Sequence, residues 1–172
     1  AMLKIIPAEG KSFFAGEQIK SPDELVGKVG FAPQFTCAHP MLTVEEAVGS
    51  ALEIAGVPTE KREERLGEIL ETIGLAEHAK KLVGSLSGGQ RIGLGVELAG
   101  DPAVMCCDEV TSGLDPLSEN SILDLLRNLC DSRGKTFVCI IHNLAKLDYF
   151  DTVTVIHKGR VVFSGTPENL KK

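Results

Sequence analysis

The chain has 172 residues, 43% of them hydrophobic, and a formal net charge of -6 with an isoelectric point near 5.3. That is the size of one domain with room for an attached lobe, and the hydrophobic content suits a soluble globular core. The acidic balance argues against nucleic acid as a partner, and no apolar run approaches the ~20 residues needed to span a bilayer, so a membrane partner would be another chain or a further part of this one. Five cysteines (Cys37, Cys106, Cys107, Cys130, Cys139) are odd in number and lack C-x-x-C spacing. They read as reduced, mostly buried thiols of a cytosolic protein. No signal peptide is recognised, and Ala1 before Met2 reads as a remnant of tag removal.

Met2 to Ile6 is too short to classify, and Pro7 ends it. Lys11 to Phe14 reads as a short strand turned by Ala15-Gly16. Ser21-Pro22-Asp23-Glu24 has the chemistry of a helix start, with Pro at the first helical position. Lys28 to Ala32 reads as a strand that delivers Gln34 to an exposed loop. Thr43-Val44-Glu45-Glu46 is a capping box that opens a helix to about Ala55, and Gly56-Val57-Pro58 breaks it. Leu66, Ile69, Leu70 and Ile73 then recur at i, i+3, i+4 and i+7, one face of a second helix stopped by Gly74. The charge run Glu60 to Arg65 is its solvated face.

Chemistry concentrates between Leu86 and Asp115. Ser87-Gly88-Gly89-Gln90 is a helix start with Ser at the N-cap and Gln three residues on. Two glycines there leave backbone N–H groups bare, and the helix dipole makes them suited to a phosphate. Ala103 to Cys107 is an unbroken apolar run, as in a strand buried on both faces of a parallel sheet. It ends in Asp108-Glu109, where open α/β sheets hold their ligands. Neighbouring strand residues point opposite ways, so the two acids cannot share one job: one can serve a metal ion while the other addresses a water.

Asp115 is the expected N-cap of a helix begun by Pro116. Ile122, Leu125, Leu126, Leu129 and Cys130 keep helical spacing, and Gly134 ends it. Thr136 to Ile141 reads as a second apolar strand with His142 at its carboxyl end. His39, His78 and His157 have no comparable setting and read as structural. Asp151 to His157 and Arg160 to Ser164 form a hairpin about Lys158-Gly159, and Thr166-Pro167-Glu168 opens a final short helix.

Taken together, these motifs resemble the nucleotide-binding domain of ABC transporters. Leu86-Ser87-Gly88-Gly89-Gln90 matches the family's signature motif letter for letter, and Val104 to Glu109 looks like its Walker B strand with the catalytic glutamate. Ser112-Gly113-Leu114-Asp115 looks like the D-loop, His142 stands where the family keeps its switch histidine, and Pro33-Gln34 is similar to the Q-loop. The resemblance implies an α/β fold of the P-loop NTPase type. Its parallel sheet core would be incomplete, with a partial core over 2–39, a helical signature lobe over 40–100 and further core over 101–172.

It also implies ATP and Mg2+. Asp108 and Gln34 would hold the metal, and Glu109 and His142 would act on the attacking water and the γ-phosphate. Ser87, Gly88, Gly89 and Gln90 would complete the nucleotide site of a second such domain in a head-to-tail dimer, with Asp115 linking the two sites. A transmembrane domain or subunit would be the other partner, at the cytoplasmic face of the membrane. Gly95-Val96-Glu97-Leu98 and Thr111 to Asp115 look most like the subfamily that fuses this domain to a membrane domain.

Three departures matter. The sequence contains no G-x-x-x-x-G-K-[ST] phosphate loop: Gly10-Lys11-Ser12 ends in the right letters, but Ile5 stands where the first glycine belongs. The expectation is therefore a chain that begins just after that loop, is inactive alone, and leaves edges such as Thr136 to Ile141 unpaired. The stretch after Gln90-Arg91 is two residues shorter than is usual in the family, which turns the downstream helix by about 200° relative to the signature. Val110 replaces the family's usual Pro. Two other readings stay open, a soluble ABC-type ATPase and a non-hydrolysing scaffold derived from one.

Overall fold

The computed structural model describes residues 10–35, 37–86 and 89–171. Met2 to Ile6, Ser87 and Gly88 lie outside them.

The chain opens with an antiparallel pair, β1 (Ser12–Phe14) and β2 (Glu17–Ile19). The helix start read at Ser21-Pro22-Asp23-Glu24 is a short 3-10 turn, Pro22–Leu25, closed by a capping box from Ser21 to Glu24. Three strands then form a parallel sheet in the order β3 (Val29–Ala32), β4 (Val104–Asp108), β5 (Thr136–Ile140). The register aligns Ala32 with Cys107 and Cys107 with Cys139. Because the strands are parallel, all three carboxyl ends lie along one edge, and the loops that leave them meet there.

Between β3 and β4 the chain makes a helical lobe of α1 (Val44–Ile54), α2 (Thr59–Thr72) and α3 (Gly89–Leu98). Thr43 caps α1 through the reciprocal box with Glu46, at 3.2 Å and 2.7 Å. The stop of α2 is Gly74, at φ 69°. Along α3, Ile92, Leu94 and Leu98 are buried, and Gly95 faces Ile73 so closely that a Cβ would lie 2.8 Å from its Cδ1. The face of α3 turned into the lobe thus carries a glycine at its closest contact.

α4 (Pro116–Arg133) connects β4 to β5 and ends at Gly134 in the left-handed region, as its sequence predicts. Its buried stripe, with Ile122, Leu126 and Leu129, joins Met105, Cys107 and the lobe residues Val48, Leu52, Ile69 and Ile73 in one continuous apolar cluster. The hairpin β6 (Val153–His157) and β7 (Arg160–Gly165) and the short α5 (Pro167–Leu170) complete the fold.

The apolar strand expected over 136–141, with an unpaired edge, is β5, which ends at Ile140. Among the described residues β5 is paired on one side only, and Thr136, Val138 and Ile140 are exposed while Phe137 and Cys139 turn toward the core. Its uninterrupted hydrophobicity says nothing about which face is covered; that depends on neighbours.

Candidate functional site

Three loops converge at the carboxyl edge of the sheet. β4 ends at Asp108, and Glu109 adopts φ 50°, a left-handed conformation uncommon for a residue with a Cβ. The Glu109 N–H still donates to Ile140 O at 3.2 Å, and its carbonyl accepts from Ser112 N at 2.8 Å. This turn takes Glu109 out of the strand, so strict alternation with Asp108 stops at that residue.

The Glu109 carboxylate is held at both oxygens. Gln34 Nε2, two residues beyond β3, donates to Oε2 at 3.2 Å. His142 Nε2, two residues beyond β5, lies 2.7 Å from Oε1. The Glu109 side chain is 26% exposed and that of His142 is 73% exposed. A carboxylate gripped by a neighbour on each side and partly open to solvent has the geometry of a group that orients or deprotonates a water.

Beside it is a cavity of about 240 Å³ whose lining includes Glu109, Ser112, Gly113, His142 and Asn143. Sequence reasoning missed part of this wall. Asn143 Nδ2 donates to Glu119 Oε2 at 3.0 Å, Asn143 Oδ1 accepts from Ala145 N at 3.1 Å, and Lys146 Nζ sits 3.8 Å from Glu119. The available signal was Glu119 itself, a carboxylate three and seven residues before Ile122 and Leu126, on the buried stripe of α4.

The other candidates separate. Asp108 is half-buried at the end of β4, in register with Ile140. Asp115 caps α4, accepting from Leu117 N at 3.0 Å and Ser118 N at 3.1 Å. The Ser118 side chain first, and these backbone donors with it, hold its carboxyl below the usual range. Gly89 is the first residue of α3, and Gln90 follows it in the helix. Ser87 and Gly88 fall outside the described residues. Hydrogen bonds from two side chains of α3 tie it to its neighbours. Glu97 Oε2 accepts from Phe31 N on β3 at 3.0 Å, and Arg91 donates to Ile73 O at 2.9 Å and to Ser121 Oγ at 2.5 Å.

Among the described residues no group of three or more His, Cys, Asp or Glu is placed to enclose a metal. Mg2+ does not need such a cage: it keeps waters and takes one or two protein oxygens together with those of phosphates. Asp108 and the Gln34 amide oxygen are donors of that hard type at the sheet edge. The residues present fit the ion.

A parallel sheet whose carboxyl edge gathers the loops after β3, β4 and β5, beside a helical lobe, defines an α/β fold of the P-loop NTPase type. The chain belongs to the ABC transporter family, whose description matches residues 2–112. It is 44% identical over 131 residues to a methionine import ATP-binding protein of Streptomyces griseus, covering 74% of this chain and 37% of that protein. Its identity to the same kind of protein from Halalkalibacterium halodurans is 36% over 167 residues, covering 92% and 49%. Among solved structures, cbiO1 from Clostridium perfringens, part of the ABC transporter complex cbiONQ, superposes with TM-score 0.90 at 26% identity, over 99% of this chain and 71% of that one. The chain spans less than half the length of these curated relatives. No helix among the described residues is long and apolar enough to cross a membrane.

Proposed function

We propose that the chain forms part of the ATP-hydrolysing domain of an ABC transporter. The observation that carries this reading is the convergence of Gln34 and His142 on the two oxygens of Glu109. Glu109 is the general base or water-orienting group, aimed by its two neighbours. His142, more exposed, supports the γ-phosphate and the water. Asp108 and Gln34 hold Mg2+, which neutralises charge on the phosphates.

Ser87, Gly88, Gly89 and Gln90 complete the site of a second domain in a head-to-tail dimer, and Asp115 links the two sites; family resemblance supports this part. A transmembrane domain or subunit, met at the cytoplasmic face, receives the work of hydrolysis. The relatives named for methionine import make a small-molecule importer one candidate for the whole protein, and residues 92–101 and 111–115 favour the fused subfamily instead. The ATP-hydrolysing domain is common to both.

Because the sequence contains no phosphate loop, the isolated chain neither binds ATP tightly nor hydrolyses it. The loop supplies most contacts to the nucleotide, and Asp108 and Glu109 repel phosphates when no Lys or metal lies between. The test is ATP hydrolysis by a protein that carries this chain behind a complete phosphate loop. Glu109→Gln is expected to lower turnover by about 10²-fold or more while ATP binding persists. Hydrolysis within about twofold of the parent would remove Glu109 from this role.

A further inference from the structure

The strands that carry the acid pair also carry two thiols placed for chemistry of their own. We propose that Cys107 and Cys139 are a peroxide-responsive pair that closes into a reversible disulfide between β4 and β5.

The two cysteines are register partners on adjacent parallel strands, and both belong to the face packed against the core cluster with α4. Neighbouring strands run about 4.8 Å apart, inside the Cα separation of about 4.4–6.8 Å that a disulfide spans. Both side chains are free thiols. Cys106, one residue earlier, pairs with Val138 and by alternation points to the other face.

Access is asymmetric. Cys107 is only 1% exposed. Cys139 lines a groove of about 290 Å³ between α4, β5 and the 149–152 segment, whose wall also includes Cys130, Phe137 and Tyr149. A small oxidant therefore reaches Cys139 first, with Cys107 directly behind it. The Cys139 sulfur attacks one oxygen of hydrogen peroxide. The O–O bond breaks, a sulfenic acid forms, and the leaving hydroxide departs as water with the thiol proton. The Cys107 sulfur then attacks the Cys139 sulfur. The S–S bond forms, the S–O bond breaks, and the second thiol proton leaves in a second water. Two thiols lose two electrons, and one peroxide becomes two waters.

The bridge would join the two strands immediately before Glu109 and His142. The test uses this chain as it is: exposure to a small excess of hydrogen peroxide, alkylation of remaining thiols, proteolysis and mass spectrometry. The expected result is a Cys107–Cys139 linked peptide pair, loss of two of the five thiols, and recovery of both with dithiothreitol. Cys130→Ser should leave the link intact, and Cys139→Ser should abolish it. If Cys107→Ser does not fold, Cys107→Ala tests the same partner while keeping an apolar side chain, and the unmodified chain decides the linkage in any case. A Cys130–Cys139 link, a stable sulfinic acid at an unlinked Cys139, or five thiols left unoxidised would each overturn the proposal.

Discussion

His142 Nε2 lies 2.7 Å from Glu109 Oε1, although 33 residues separate them in the chain. If the histidine works through this contact, its loss matters only while the carboxylate is present. In a protein with a complete phosphate loop, His142→Ala should lower ATP turnover by about 10²-fold. Added to Glu109→Gln, it should cost little more. Steady-state hydrolysis of the single and double variants measures this, and multiplicative losses would show that the two side chains act independently.

Arg91 is the tie between α3, the end of α2 and α4 through Ile73 O and Ser121 Oγ. A lysine cannot present two donors in that fork. Arg91→Lys should cost about 1–3 kcal/mol, and Ser121→Ala about 0.5–1.5 kcal/mol. Urea unfolding of the isolated chain reads both, and an unchanged midpoint for Arg91→Lys would dismiss the tie as incidental.

Gly95 and Ile73 make a second, apolar contact between the same helices. Alanine at 95 gains about 1 kcal/mol of helix propensity, but its Cβ would lie 2.8 Å from Ile73 Cδ1, and overpacking of that kind costs about 1–3 kcal/mol. Ile73→Val removes the offending atom at a cost of about 0.5–1.5 kcal/mol on its own. The double variant should therefore be more stable than the two single effects added, by about 1 kcal/mol in a denaturant cycle. Simple additivity would mean that the helices shift apart freely.

Stability should depend on pH in two opposed ways. At Asp101, burial acts to raise the carboxyl, but the Lys135 hydrogen bond and the charges of Lys135, Arg65 and Arg133 outweigh it, so the folded value lies below the ordinary 3.8. That contribution is present above the unfolded value and is lost as pH falls through the folded one. At Glu97, burial raises the carboxyl above its ordinary 4.5, against the smaller opposing effect of the Phe31 N–H. That contribution is full below the unfolded value and is lost as pH rises through the folded one. In thermal melts across this acid range, Asp101→Asn should lose less stability than the wild type as pH falls. Glu97→Gln, which keeps an oxygen for Phe31 N–H, should lose less as pH rises. Curves parallel to the wild type would refute both assignments.

What the chain order of residues determined by itself is local. The helix start at Ser21, the capping box at Thr43, the Asp115 cap and the Gly134 stop all read directly, because donor and acceptor lie within four residues of each other. The apolar run of β4 and the order of the nucleotide motifs were legible in the same way. The tertiary structure alone decided the rest. Gln34 and Glu109 stand 75 residues apart, and only the parallel register of β3, β4 and β5 brings their loops to one edge. Glu97 looked like an ordinary residue of α3 until packing set it against the Phe31 N–H, and Glu119 and Asn143 met only when α4 came back over the sheet. The shortened stretch after Arg91 left open which face of α3 is buried, and the fit of Gly95 against Ile73 answers it. Period and propensity describe how a segment folds along itself, whereas burial and long-range hydrogen bonds depend on which neighbour arrives, and that is a property of the whole packed chain.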